Sequence, residues 1–228
     1  MQSEQHTLLE ILRVTEALAC ITGFLAWRKI KGSYWRWFPF YLAFIVLSEF
    51  IGSYTGSHHM EHLNKMFFNY LEIPAEFLFF FWLFHQSFIY TSYKRLPAFC
   101  ACIYVLSWLF DLFVLRIYFS DQHFWFDSLS STMGNLLLLI LILRYFIQLV
   151  TTNEILSFRS DMLFWVSTGL LLFYLGTFPF FGLYNVFARG DQDLFLTYKY
   201  VMFVLNSLMY LSFTFSFIWG RSKNTRYS

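Results

Sequence analysis

The sequence is dominated by long apolar runs that short polar segments separate. Residues 135–150 read NLLLLILILRYFIQLV, and comparable runs recur along the chain. A run of this kind is typical of an α-helix that crosses a bilayer. A helix of a soluble protein instead has a polar face opposite its apolar face. Charged residues make up 13% of the chain, about half of the share that is usual for a soluble domain. The sequence therefore predicts an integral membrane protein.

Division of the chain at its polar segments gives seven spans. Each has about 20 residues or more, the length that crosses a hydrocarbon core about 30 Å thick. The predicted fold class is all-α, a polytopic bundle of seven transmembrane helices in one domain, residues 1–228. The first residues, MQSEQHT, lack the basic region of a signal peptide, so we expect the first span to be retained. The predicted spans are 8–27, 37–55, 66–90, 96–119, 125–149, 161–187 and 194–219.

Basic residues are divided unequally between the two sides of this arrangement. One side carries eleven of the sixteen Lys and Arg residues, and the other carries five. Because short basic loops remain in the cytoplasm, the N-terminus is predicted to lie outside and the C-terminus inside. An odd number of spans also places the two termini on opposite sides of the membrane. The eleven residues on the predicted cytoplasmic side are Arg28, Lys29, Lys31, Arg36, Lys94, Arg95, Arg144, Arg159, Arg221, Lys223 and Arg226.

Carboxylates accumulate in the outer half of the predicted bilayer. Asn69, Glu72 and Glu76 follow i, i+3, i+7 spacing and share one helix face. Pro74, between the two acids, cannot donate to the carbonyl of Tyr70 and is expected to kink the helix. Acids inside a membrane usually face the bundle interior and mark functional sites. The alternative is a structural role, in which neutral Glu side chains hold the helices together. The predicted ligand- or ion-binding pocket comprises Glu49, Asn69, Glu72, Glu76, Asp111, Lys199, Asn206 and Tyr210.

Two further polar patterns lie within the spans. The E-x-x-R-x-x-E ladder of residues 10–16 has the spacing to pair with itself near an interface. Ser128, Ser131 and Asn135 share one face of the fifth span. Asp111 has Arg116 five residues further on, so a pair of these two side chains is an alternative to a role in the pocket.

The predicted outer loop between the second and third spans reads GSHHMEHLNK. His58 and His62 are four residues apart, a spacing that lets two imidazoles share a metal ion on a helix. The order H-H-x-E-H differs from the H-E-x-x-H signature of zinc proteases. The sequence therefore indicates a Zn or Ni site at His58, His59 and His62, with a solvated polar loop as the alternative.

Three stretches carry a resemblance to other proteins: NYLEIPAEFLFFFWLF in the third span, FWVSTGLLLFYLGTF in the sixth and LNSLMYLSFTFSFIWGR at the end. In these stretches the chain resembles uncharacterised seven-span inner-membrane proteins of Bacteroidota-type bacteria. The resemblance implies seven spans and a multi-pass location in the bacterial inner membrane. It implies no activity.

The sequence favours a receptor or signalling subunit for a small ligand or ion. Because no output domain follows the last span, such a subunit would act through a separate cytoplasmic or membrane partner. The first alternative is a small transporter that couples proton or cation movement to Glu72 and Glu76. The second is a membrane-embedded metal-dependent hydrolase, although the last span has no paired histidines and no catalytic residues are assigned. Microbial rhodopsins are excluded because Phe195 stands four residues before Lys199, where an acid is expected. The lipid bilayer is an expected partner and nucleic acid is not.

Overall fold

The structure is a computed structural model that describes residues 2–58, 60–88, 93–115, 128–151, 160–189 and 192–221. Within these ranges every regular element is helical, and the β-type pairing found there is a single backbone bridge between Asp161 and Arg221. The all-α fold class is therefore confirmed. The α-helices are α1 (Gln2–Leu25), α2 (Trp27–Ile30), α3 (Phe38–Ser57), α4 (Glu61–Phe67), α5 (Ile73–Phe88), α6 (Leu96–Phe110), α7 (Ser128–Thr151), α8 (Met162–Arg189) and α9 (Gln192–Trp219).

Three shorter helical turns flank the longer helices. A 3₁₀ turn, Tyr34–Trp37, leads into α3. A π-helical turn, Phe68–Glu72, precedes α5, and a second, Asp111–Leu115, follows α6. Each of the seven predicted spans overlaps a described helix.

Four helical segments are long and apolar enough to cross a membrane. They correspond to the second, fourth, fifth and seventh predicted spans, with mean hydropathies from 1.3 to 2.0. Length and apolar composition of this kind define a helical membrane protein. The four segments are Tyr34–Thr55, Leu96–Phe113, Leu129–Thr151 and Leu196–Trp219.

Helix α7 buries polar side chains near its start and exposes a stripe of apolar side chains along its length. Ser131 and Asn135 are among its most buried residues, at 3% and 1% exposure. The exposed side chains recur every three to four residues, which places them on one continuous stripe. An outward apolar stripe is favourable in hydrocarbon and costly in water, so this helix is suited to a lipid environment. The stripe comprises Leu136, Ile140, Leu143, Ile147 and Val150.

The chain forms two compact units. Unit 1 comprises Met1–Phe50, Ile142–Thr177 and Thr197–Ser228, and unit 2 comprises Ile51–Leu141 and Phe178–Leu196.

Within unit 1, α8 and α9 approach closely at Gly169. A Cβ atom at this position would lie 2.8 Å from the Cβ of Ser212 and 3.1 Å from the carbonyl oxygen of Met209. Glycine therefore permits a backbone approach that any larger residue would oppose, as is common between membrane helices. The rings of Phe38 and Phe213 lie 5.1 Å apart and bring α3 against α9.

Within unit 2, an aromatic layer joins α5, α6 and α7. The Tyr104 ring lies 5.0 Å from the Phe77 ring and 5.9 Å from the Phe81 ring. A Cβ atom on Gly134 would lie 2.7 Å from atoms of the Phe77 ring, so the glycine leaves the space that the ring fills. These contacts set the relative heights of the three helices.

Candidate ligand-binding site

The two π-helical turns of unit 2 carry three residues of the predicted pocket: Asn69, Glu72 and Asp111. Phe68–Glu72 carries Asn69 and Glu72, and its wider winding is completed by the N–H of Ile73, which donates to the carbonyl of Phe68. The following residue, Pro74, has no N–H, so a regular α-helical bond to residue 70 cannot form. The winding thus changes at the position where the sequence predicted a kink. Single π-helical turns of this kind occur frequently at functional sites.

Asp111 begins the second π-helical turn and is 5% exposed. Its Oδ2 accepts a hydrogen bond of 2.7 Å from the backbone N–H of Ser130, in the first turn of α7. The first four N–H groups of a helix have no partner within that helix, and the positive end of the helix dipole favours a carboxylate. Asp111 therefore caps α7 from another helix. The alternative partner, Arg116, lies outside the described residues.

Three buried polar side chains of unit 2 contain atoms without a hydrogen-bond partner in the described part of the chain. These atoms are the Oδ1 of Asn69, the Oγ of Ser131 and both amide atoms of Asn135. Each buried group left without a partner costs about 1–3 kcal/mol. Because Ser131 directly follows Ser130, the unpartnered groups of α7 begin next to the Asp111 cap.

The polar groups of the three helices lie at the aromatic layer or on one side of it. Helices α5 and α6 are in contact and are joined by residues 89–95, so they are antiparallel neighbours. At 1.5 Å per residue, Asp111 lies about 10 Å beyond Tyr104, and Glu72 lies about 7 Å beyond Phe77. Asn135 lies at the layer itself, next to Gly134. We call Asn69, Glu72, Glu76, Asp111, Ser131 and Asn135 the polar end of unit 2.

Four of the eight predicted pocket residues belong to unit 1: Glu49, Lys199, Asn206 and Tyr210. Glu49 is half-buried and interacts electrostatically with Arg13 of α1. The Oδ1 of Asn206 is buried without a hydrogen-bond partner among the described residues. The prediction of one pocket containing all eight residues stays a prediction.

The histidine segment is described in part. The Nδ1 of His58 lies 2.9 Å from the carbonyl oxygen of Tyr54, and its ring packs at 4.2 Å from the Tyr54 ring. Since a carbonyl can only accept, Nδ1 carries the proton and Nε2 is left as the metal-binding nitrogen. His59 and the side chain of His62 lie outside the described residues. Among the described residues no group of three His, Cys, Asp or Glu is placed to hold a metal ion, and the Zn or Ni site stays a prediction.

Sequence reasoning missed two features of these sites. It assigned Glu49 no partner other than Lys199, whereas the structure brings Arg13 near from a separate helix. It also left Ser131 and Asn135 out of the pocket, although their four-residue spacing within an apolar run was a usable signal. Of the E-x-x-R-x-x-E ladder, the pair between Arg13 and Glu10 is present, at 3.1 Å.

Comparison with protein-family models, with curated proteins and with solved structures finds no match for this chain. The fold and the apolar helices define the class, a helical membrane protein.

Proposed function

We propose that the chain spans the bacterial inner membrane seven times, with the N-terminus outside and the C-terminus in the cytoplasm. The coincidence of each predicted span with a helix supports the number of spans. The excess of basic residues on one side supports the orientation. In this topology the polar end of unit 2 faces outward.

We propose that the protein is a receptor or signalling subunit that binds a small polar or cationic ligand at the polar end of unit 2. The observation that carries this proposal is Asn135, whose two amide atoms are buried without a partner among the described residues. A ligand that pairs with this amide recovers the free energy that its burial costs. The nearby carboxylates of Asp111, Glu72 and Glu76 favour a ligand with a positive charge or several hydrogen-bond donors.

The two π-helical turns supply a physical route from binding to signalling. A π-helical turn contains one more residue than the α-helical turn it replaces, so its conversion would rotate the following helix by about 100° per residue. If a ligand contacts Asn69 or Asp111 differently in the π-helical and the α-helical winding, its binding would shift the equilibrium between the two windings. A partner in the membrane or the cytoplasm would respond to the new face of α5 or α6.

A small proton- or cation-coupled transporter is the second candidate function. Glu72 and Glu76 are half-buried on either side of the buried Pro74, one helical turn apart. Two acids at this spacing repel when both are ionised, so they are suited to hold a proton or cation between them. A transporter would move the bound ion across a vesicle membrane, whereas a receptor would bind it without net transport.

The test replaces Asn135 with Leu, which has the same number of side-chain heavy atoms and the same branching but no polar atom. If the amide is kept for ligand binding, Asn135→Leu should raise the thermal unfolding midpoint, because an unpartnered buried group is removed, and should abolish binding. The probes are Na⁺, methylammonium and guanidinium, added to protein in an uncharged detergent, with binding measured by calorimetry.

Ser167→Ala is the matched control, since the Ser167 Oγ is also buried without a partner among the described residues but lies in unit 1. It should raise stability and leave binding unchanged. A loss of stability in Asn135→Leu would show that the amide is part of a structural network, which contradicts the proposal.

A further inference from the structure

We propose that the segment between α1 and α3, residues 26–37, is a docking surface for the headgroups of anionic phospholipids. We call this segment the α1–α3 connection. It comprises α2 and the 3₁₀ turn Tyr34–Trp37. Its basic side chains Arg28, Lys31 and Arg36 are exposed. The proposal is independent of the proposed ligand site, because all of these residues belong to unit 1.

The first argument is the charge of the segment. Arg28, Lys29, Lys31 and Arg36 lie within nine residues, and no acid occurs in the sequence between positions 16 and 49. No carboxylate of this stretch of chain can therefore neutralise them. Basic clusters next to a membrane helix attract anionic lipids by about 1 kcal/mol per charge.

The second argument is that the connection is held in place by buried anchors. Ile30 and Trp35 are 0% and 1% exposed, and the Oγ of Ser33 donates to the carbonyl of Ile30 at 2.9 Å. Lys29 extends to the end of α9, where its Nζ donates to the carbonyls of Phe217 at 3.0 Å and Ile218 at 3.3 Å. Lys29 thus ties the connection to α9, while Arg28, Lys31 and Arg36 remain available. A pre-formed surface loses little conformational entropy on binding.

The third argument is the aromatic neighbourhood, which favours a lipid over an acidic protein. Trp37 is 48% exposed, and the Arg36 guanidinium lies 5.3 Å from the centre of its ring. Trp219, directly after the Lys29 contacts at the end of α9, is 56% exposed. Exposed Trp side chains at helix ends are typical of the headgroup level of a bilayer. The basic groups are therefore placed where lipid phosphates lie.

The experiment measures lipid binding by the thermal unfolding midpoint of the full chain in an uncharged detergent. Short-chain phosphatidylglycerol and phosphatidylcholine are titrated at low salt. Phosphatidylglycerol should raise the midpoint and phosphatidylcholine should not. In the triple variant Arg28→Gln, Lys31→Gln, Arg36→Gln the apparent Kd for phosphatidylglycerol should rise by about fivefold per charge, roughly a hundredfold in all.

The matched control is the double variant Lys94→Gln, Arg95→Gln, which removes exposed basic residues of unit 2. It should weaken phosphatidylglycerol binding less than the triple variant does, because only two basic residues lie together there. If the triple variant fails to fold, the single variants Lys31→Gln and Arg36→Gln should each show a loss of about fivefold.

Four results with the lipids, the variants or phosphate would overturn the proposal. They are equal effects of the two lipids, an unchanged Kd in the folded triple or single variants, an equal loss of affinity in the unit 2 control, and equal stabilisation by inorganic phosphate at the same concentration. Polyglutamate that binds more tightly than phosphatidylglycerol would assign the surface to an acidic protein and would also overturn it.

Discussion

Several polar residues of this protein bond to backbone groups at helix ends. Asp111 accepts from the first turn of α7, and Lys29 donates to the last turn of α9. At the N-terminus of α8, Oδ1 of Asp161 accepts from the N–H of Leu163, and its Oδ2 accepts from the Tyr145 hydroxyl. Helix ends have unpaired N–H or C=O groups, so each is a partner for a charge of the matching sign.

Asp111→Ala should destabilise the protein by about 1–2 kcal/mol, the usual cost of losing the acceptor at a helix N-terminus. Asp111→Asn keeps an oxygen acceptor of the same size and should lose less. The free energy of unfolding is measured by SDS titration in mixed micelles. An equal loss of stability in both variants would show that the negative charge of Asp111 is required. It would contradict the view that an oxygen acceptor of this size is sufficient.

Burial lowers the pKa of Lys29, and the nearby positive charge of Arg221 lowers it further. The folded state therefore binds the Lys29 proton less tightly than the unfolded state. This unfavourable contribution is complete below the folded pKa and disappears as the pH rises through it towards the unfolded value, near 10.4. The unfolding midpoint relative to that of Lys29→Arg should therefore rise as the pH approaches about 10.4.

Lys29→Arg is the suitable reference because arginine keeps its charge throughout this range. The measurement is thermal unfolding of both proteins in the same detergent at each pH. A constant difference between their midpoints would show that Lys29 does not titrate differently in the folded state.

At the scale of the helices, packing depends on small residues at defined contacts. Gly134 accommodates the Phe77 ring in unit 2, and Gly169 brings α8 and α9 together in unit 1. The two π-helical turns are also features of whole elements. One of them ends two residues before a proline, which explains its position. The sequence around Asp111 contains no such signal.

Gly134→Leu should destabilise the protein by about 1–3 kcal/mol, the usual cost of overpacking. The variant Phe77→Ala makes room at the same contact, so the double variant should be more stable than the sum of the two single changes predicts. A double-mutant cycle measured by SDS titration gives this coupling. Additive effects would contradict direct packing of the ring against Gly134.

At the scale of the whole molecule, the prediction concerns topology. A reporter that is active only in the cytoplasm, fused after Ser228, should be active, and a periplasm-specific reporter at the same position should be silent. The physical reason is the retention of basic segments on the cytoplasmic side. The reverse pattern would contradict the proposed orientation and the odd number of spans.

The sequence by itself determined the helical class and the approximate positions of the long helices, but it did not predict α2 and it placed most of α4 in a loop. These properties depend on local features: apolar runs of span length, polar residues at their ends and the missing N–H of Pro74. The shared face of Ser131 and Asn135 followed from helix periodicity alone.

Only the tertiary structure decided which polar groups meet. The hydrogen bonds of Asp111 with Ser130 and of Lys29 with α9, and the electrostatic interaction of Glu49 with Arg13, join separate helices. Each pair depends on the rotation and relative height of two helices, which the packing of rings against small residues sets. Periodicity within one helix contains no information about that register, because it fixes a residue's face and not the neighbour opposite it.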